Sequence, residues 1–332
     1  MDVAAGLTVA VTGPTGDIGI AAVAALERDR NVERIIGMAR RPFDPDSQGW
    51  TKTVYRRGDI LDRDAVNALA AEADVVVHLA FVIMGSRNDS ERVNLRGTRN
   101  VFEACAAGAD VGRPRRLVYS SSVAAYGYYP DNPVPLTEDV PARGSPEHYY
   151  SEQKAACETA LAEVSAQSPL EVFVLRPCIV AGPKAHAMVD ALPWNRVPYL
   201  NTASRLLPVL KPVVPDPGVP LQLVHHDDVA SAVALAATGS APAGAYNIAG
   251  EGLLSVSDVV AALGGRPVRV PAVAATAASA VLARLPLVPS AAEWLHSART
   301  SMVMDTTKAR TQLGWTPQYT AAETLQALTA SL

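Results

Sequence analysis

The chain has 332 residues, of which 49% are hydrophobic and 19% charged, and its formal net charge is −4. That length allows a large core in one domain or two coupled ones. A slightly acidic balance with no basic run leaves no electrostatic footprint for nucleic acid or a lipid surface.

In chain order, LTVAVTG at 7–13 reads as a strand, with no basic n-region before it that would mark a secretory leader. IGIAAVAALERD at 18–29 reads as a helix. Between them Gly13, Gly16 and Gly19 form G-x-x-G-x-x-G. Glycines at a strand–turn–helix junction allow a tight turn, close approach of a pyrophosphate and close helix–strand packing. The free amides of the helix start then face the anion. A merely structural turn is the alternative.

VERIIGMA at 32–39 is the second strand, and its end should meet the ribose about 20 residues past the glycines. Ala39 stands where an acid would accept from the 2′-hydroxyl of NAD, and Arg40 and Arg41 follow it. With no carboxylate to repel a phosphate, two guanidiniums favour NADP(H) over NAD(H). The alternative is a pair of solvated loop arginines. A third strand is expected at 53–59, with Asp59 and Ile60 flanking the adenine.

A helix at 63–72, a doubly buried strand at 73–80, a helix at 91–107, a strand at 116–122, a helix at 149–166 and a strand at 170–177 follow. Strand–helix alternation with near-continuous apolar strands predicts an α/β fold, a Rossmann-type doubly wound parallel sheet. After about residue 180 prolines become dense, and a smaller C-terminal substrate-binding region is expected over 181–332, beside a dinucleotide domain at 1–180. Strands near 221–225 and at 245–250 should return to the main body, so the two regions interleave. The apolar run 271–295 is broken by Arg284, Pro286 and Pro289, so a buried helix and loop are expected rather than a membrane span.

HYYSEQK at 148–154 holds a tyrosine–lysine pair. Residues four apart share one helix face. An ammonium there should favour the phenolate and lower a phenol pKa from near ~10. The spacing selects Tyr150 with Lys154; Tyr149 has the uncharged Gln153 at that distance and points about 100° away. HHDD at 225–228 invites a metal, but no His or Cys elsewhere completes a site. A helix start capped by Asp is expected instead, and no metal is assigned. Cys105, Cys157 and Cys178 have neither metal spacing nor a disulfide framework, and read as reduced thiols of a cytoplasmic protein. His186, Met188 and Trp194 are candidates either for the substrate mouth or for ordinary packing.

Together TGPTGDIG (12–19), GDILD (58–62), VVHLA (76–80), NLRGTRNVFEAC (94–105), VYSSSVAAYG (118–127), YSEQK (150–154), LRPCIVAGP (175–183), LVHHDDVASAV (223–233), YNIAG (246–250) and LGWTPQYT (313–320) resemble the extended short-chain dehydrogenase/reductases of the NAD-dependent epimerase/dehydratase family. The resemblance implies a Ser122–Tyr150–Lys154 triad, Ser122 binding the reacting oxygen. It implies cofactor contacts from Gly13, Thr15, Gly16, Asp17, Ile18, Leu79, Ala80, Ser120, Pro177 and Ile179, with Tyr150 and Lys154 beside them. Asn94 either supports the lysine or serves as a helix cap or packing residue. A homodimer through the helices near 91–107 and 149–166 is also implied.

Departures from the family pattern bear on the reaction. Its sugar-nucleotide dehydratases carry an Asp–Glu pair where this chain has Val123 and Ala124, which cannot transfer protons. The asparagine that grips a sugar diphosphate in its epimerases is absent from Pro177-Cys178-Ile179, and no arginine stands shortly before the 225–228 segment. The expected activity is an NAD(P)-dependent carbonyl reductase or alcohol dehydrogenase acting on a small, relatively apolar molecule. The alternatives are a sugar-nucleotide epimerase working by transient oxidation and a non-catalytic dinucleotide sensor.

Overall fold

The computed structural model describes residues 6–83, 90–185, 213–270 and 300–332. His186, Met188, Trp194 and the apolar run 271–295 lie outside the described residues.

The strands are β1 (Leu7–Thr12), β2 (Val32–Ala39), β3 (Thr53–Arg57), β4 (Val75–His78), β5 (Arg116–Ser120), β6 (Glu171–Pro177), β7 (Ile179–Ala181), β8 (Val213–Asp216), β9 (Pro220–Leu221), β10 (Leu223–His225), β11 (Gly244–Ile248), β12 (Leu254–Ser255) and β13 (Arg266–Arg269). The helices are α1 (Asp17–Arg28), α2 (Arg63–Ala71), α3 (Thr98–Asp110), α4 (Tyr149–Ser165), α5 (His226–Thr238), α6 (Val256–Ala262), α7 (Thr307–Thr311) and α8 (Ala321–Ala330). Seven strands form one parallel sheet in the order β11-β6-β5-β4-β1-β2-β3. This is the doubly wound order expected from the alternation.

The central strands are apolar on both faces, as a sheet covered by helices requires. Val9 and Val11 of β1 join Ala22, Val23 and Leu26 of α1 and Val229, Val233 and Ala236 of α5 in one core layer. Ala10, between them, points the other way into a layer with Leu69 of α2, Phe102 of α3 and Leu161 of α4. Each fully buried valine or leucine contributes about 1.5–3 kcal/mol, so the period-two alternation of β1 fixes its register against both layers.

Of the two strands expected to return to the body, β11 joins the sheet edge beside β6. β10 instead pairs with β7 in a separate two-stranded ribbon. The C-terminal segment locks onto the sheet body through Trp315, which is fully buried and whose indole N–H donates to the Asp228 carbonyl at 2.9 Å.

Two element boundaries differ from the sequence reading in a way that shapes the site. The strand through 116–122 stops at Ser120, because Val123–Tyr126 turn into a 3-10 helix capped by Ser122. The helix expected over 91–107 is interrupted near its start by a π-helical stretch, Arg92–Gly97, which runs into α3. Such stretches are rare and concentrate at functional sites.

Candidate active site

The carboxyl ends of β1, β4, β5 and β6 converge, which is where parallel α/β sheets place their ligands. β1 ends at Thr12, and the chain turns at Gly13 with φ +76, in the left-handed region. A Cβ there would stand 2.8 Å from the Ala80 nitrogen, so the loop lies directly on Leu79–Ala80. Gly16 N–H closes the turn onto the Gly13 carbonyl at 3.3 Å, and a Cβ on Gly19 would come within 2.1 Å of that same oxygen. Gly16 caps α1 with no side-chain hydrogen bond. Among the described residues the first-turn amides of Ile18 and Gly19 are thus left for an external anion. Thr15 is half-buried at the turn, and Ile18 packs on the core layer. The cradle fits the pyrophosphate of a dinucleotide: close backbone, no side chain in the way, and a helix dipole aimed at it.

At the end of β2, Arg40 and Arg41 are exposed, and neither guanidinium has an ion-pair partner among the described residues. Their backbone is held. The Tyr55 hydroxyl donates to the Ala39 carbonyl at 3.0 Å and to the Arg41 carbonyl. Arg57 Nε donates to the Arg40 carbonyl at 3.0 Å, which brings a third guanidinium to this edge. Asp59 accepts from the Leu61 amide at 3.0 Å in a tight turn. Ile60 is buried against Gly97, so its side chain belongs to the core.

Ser122, Tyr150 and Lys154 come together at the ends of β5 and α4. His148 caps α4, its Nδ1 accepting from the Ser151 amide at 3.3 Å. Ser122 Oγ accepts from the Ala124 amide at 3.2 Å and stands near enough to the Tyr150 hydroxyl to favour its ionised form. Lys154 Nζ donates to the Ser120 carbonyl at 2.8 Å. It also lies 3.7 Å from the centre of the Phe81 ring, whose edge meets Tyr150 at 5.6 Å between centroids. Burial pushes the Tyr150 phenol above its usual 10, which Ser122 partly offsets and the neighbouring Tyr149 adds to. The expectation that Lys154 lowers the Tyr150 pKa is therefore corrected for the free protein: the ammonium is turned to the Ser120 carbonyl. Burial brings Lys154 itself down to about 8, an effect that Cys157 and Glu158 partly offset.

Tyr149 points elsewhere, donating to the Ile83 carbonyl at 2.6 Å. Asn94 lies in the π-helical stretch and pins the segment carrying Phe81. Its amide accepts from Val82 N at 2.8 Å and donates to the Val82 carbonyl at 2.9 Å and to Gln153 Oε1 at 2.8 Å. Its route to the lysine runs through Phe81, by way of the Val82 backbone. Leu79 and Ala80 are half-buried at the end of β4, Pro177 closes β6, and Ile179 opens β7. Ser120 serves through its carbonyl, whereas the Ser121 hydroxyl donates to Glu158 at 2.5 Å.

The helix start at 225–228 is capped by His225, not by an aspartate: His225 Nδ1 accepts from the Asp227 amide at 3.2 Å. Asp228 instead receives the Gln318 and Tyr319 amides at 2.8 and 3.1 Å, stapling the C-terminal segment. His225, His226 and Asp227 bring donor atoms within 4.8 Å of one another. The capping bond occupies His225 Nδ1, and the His225 ring stacks on Tyr319 at 3.9 Å. Cys105, Cys157 and Cys178 are buried and free. Among the described residues no helix is long and apolar enough to cross a membrane.

Sequence reasoning missed Phe81, Arg57 and Glu158. Glu158 was open to discovery by periodicity, one turn beyond Lys154; Phe81 and Arg57 carry no local signal.

The model of the NAD dependent epimerase/dehydratase family matches residues 9–249. An uncharacterized protein of Sinorhizobium fredii is 30% identical over 333 residues, covering 95% of this chain and 76% of the relative. Cinnamoyl-CoA reductase 2 of Medicago truncatula is 25% identical over 213 residues, 60% of this chain and 61% of the relative. Human 3 beta-hydroxysteroid dehydrogenase type 7 is 30% identical over 158 residues, 43% of this chain and 40% of the relative. Among solved structures, MoeE5 in complex with UDP-glucuronic acid and NAD superposes with TM-score 0.69 at 24% identity, covering 98% of each chain. The dTDP-glucose 4,6-dehydratase of Bacillus anthracis with NAD gives TM-score 0.71 at 19% identity, covering 98% of this chain and 96% of that one. At these identities the solved structures speak for the fold.

Proposed function

The chain belongs to the NAD dependent epimerase/dehydratase family, and from that premise we propose that it is an NADP(H)-dependent carbonyl reductase, or alcohol dehydrogenase in reverse, acting on a small, relatively apolar molecule. The observation that carries this reading is that Ser122 and Tyr150 stand together at the ends of β5 and α4, with Val123 and Ala124 buried directly after Ser122. No acid follows Ser122 to move a second proton, so the chemistry left to the site is proton transfer at one oxygen. Two of the named relatives, a cinnamoyl-CoA reductase and a hydroxysteroid dehydrogenase, support the same class.

The glycine turn and the α1 amides would hold the pyrophosphate, Arg40 and Arg41 the 2′-phosphate, and Lys154 the nicotinamide ribose. When bound, the cofactor supplies or accepts the hydride at the carbonyl carbon. Ser122 Oγ holds the substrate oxygen. Tyr150, kept protonated at neutral pH by its raised pKa, gives its proton to that oxygen as the carbonyl is reduced. The Lys154 ammonium stabilises the phenolate left behind.

The test is NADPH oxidation against a panel of aldehydes and ketones, with Tyr150→Phe alongside. Loss of the proton donor should lower turnover about 10²–10⁴-fold; unchanged turnover in the variant would sink the mechanism. A second reading, sugar-nucleotide epimerisation by transient oxidation, is supported by the family's own description. It is distinguished by conversion of a UDP-sugar with no net consumption of cofactor.

A further inference from the structure

Behind the site lies an ion pair that the proposed chemistry does not use. Glu158 follows Tyr150 and Lys154 on α4 at spacings of eight and four residues, on the same helix face. Its carboxylate receives Arg176 Nε at 3.1 Å and a terminal guanidinium nitrogen at 2.6 Å, together with the Ser121 hydroxyl at 2.5 Å. Arg176 stands in β6 just before Pro177 and lies 4.5 Å from the centre of the Tyr126 ring. The two side chains are only 7% and 10% exposed. A pair so far out of water adds little net stability, since desolvation offsets the attraction.

Its position gives it another use. The titratable groups facing Lys154 are His78 from β4, Tyr119 from β5, and Tyr150, Cys157 and Glu158 from α4. His78 is held neutral by burial, and burial also raises the Tyr119 phenol, the Tyr150 phenol and the Cys157 thiol. Among the described groups facing Lys154, Glu158, held in its pair with Arg176, is the carboxylate. Through Ser121 it also touches the residue next to Ser122, so one carboxylate joins the strand end and the helix that carry the candidate triad.

We propose that Glu158 is a positioning residue for this site: it supplies the counter-charge that keeps Lys154 an ammonium, and it ties the helix bearing Tyr150 and Lys154 to the strand end bearing Ser122. This rests on Lys154 belonging to the site and not on the identity of the substrate.

The experiment is an NMR titration of the full chain labelled at lysine Cε, following the resonance that Lys154→Arg removes. The parent should titrate near 8. Glu158→Gln should lower that midpoint by about one pH unit or more, a roughly ten-fold loss of proton affinity, with Glu158→Asp closer to the parent. A Gln variant that titrates with the parent overturns the proposal. If that variant does not fold, the paired Glu158→Gln/Arg176→Gln change is measured instead: it should lower the midpoint by less, because the repelling Arg176 charge goes with the carboxylate, and a midpoint that is unmoved or raised overturns the proposal. The readout uses no substrate, so a wrong assignment of the reaction leaves it standing.

Discussion

Lys154 stands one helical turn from Tyr150, yet its ammonium bonds the Ser120 carbonyl at 2.8 Å and lies 5.9 Å from the centre of the Tyr150 ring. The two groups are therefore neighbours that are not joined by a direct bond. In the free protein burial sets both groups, raising the phenol above 10 and lowering the lysine to about 8. A site in this state holds a neutral acid beside a cation that is close to losing its proton.

The pH dependence expected of the proposed carbonyl reduction follows from those directions. Lys154 is a base with a lowered pKa, so its charge is complete well below 8 and is lost as pH rises through about 8. Tyr150 remains protonated through that range. The plot of kcat/KM should be level near neutrality and fall on a single basic limb near 8. Lys154→Arg, whose charge persists above ~12, should move that limb upward even if its level is lower. A profile flat to about pH 10 would show that the lysine charge plays no part.

The proposed preference for NADP(H) is put to the test at the β2 edge. Arg40 and Arg41 are exposed while their backbone is fixed by Tyr55 and Arg57. Charge-assisted hydrogen bonds are worth about 1.5–3 kcal/mol, so Arg40→Ala or Arg41→Ala should weaken NADPH binding roughly ten-fold or more. NADH binding should stay within about three-fold, on the same scale. Fluorescence titration with both cofactors decides it: equal losses for the two would remove the 2′-phosphate role.

Much of this architecture could be read before any coordinates, and the reasons are local. Gly13 and Gly19 announce their turn because no other residue fits it, and Tyr150 is picked from Tyr149 by helix period alone. The seven-stranded sheet follows from apolar runs spaced by helical patterns. What could not be read depends on contacts distant in sequence. The direction of the Lys154 ammonium is set by the Ser120 carbonyl, which β5 delivers from 34 residues away. The cap at the start of α5 went to His225 because Asp228 was drawn to the amides of Gln318 and Tyr319, some 90 residues on. Phe81 covers the lysine only because Asn94 grips the Val82 backbone.

The glycine loop offers a contrast between two neighbours. A Cβ on Gly19 would sit 2.1 Å from the Gly13 carbonyl, a backbone atom that cannot yield without moving the turn. Gly19→Ala should therefore cost about 1–3 kcal/mol of stability, as overpacking does, and lose cofactor binding with it. At Gly16 the nearest atom would be 3.7 Å away and φ is −83, so alanine fits the free protein. Gly16→Ala should change stability by no more than about 0.5 kcal/mol yet weaken cofactor binding, because its methyl group enters the space an anion would occupy. Thermal melts with and without NADPH separate the two; a Gly19→Ala protein as stable as the parent would contradict the packing described.

Acid should destabilise the fold through His78, and the sign can be worked out from its surroundings. The ring is buried between Thr12 Oγ1 at 2.6 Å and Thr98 Oγ1 at 3.0 Å, and is stacked on Tyr119. Burial, with the Lys154 charge adding to it, lowers its pKa from 6.5 to about 3. Between those values the unfolded chain takes up a proton that the folded chain refuses. The contribution of this residue to stability is present in full above about 6.5 and is lost as pH falls, by about 1.4 kcal/mol per unit. Carboxylates also titrate in the lower part of this window, so the informative quantity is a difference. Denaturant unfolding of the parent and of His78→Gln, compared at about pH 6 and pH 5, should show the parent losing roughly 1 kcal/mol more than the variant. Equal losses would mean that His78 accepts its proton inside the fold, with the two threonines rearranged to admit the charge.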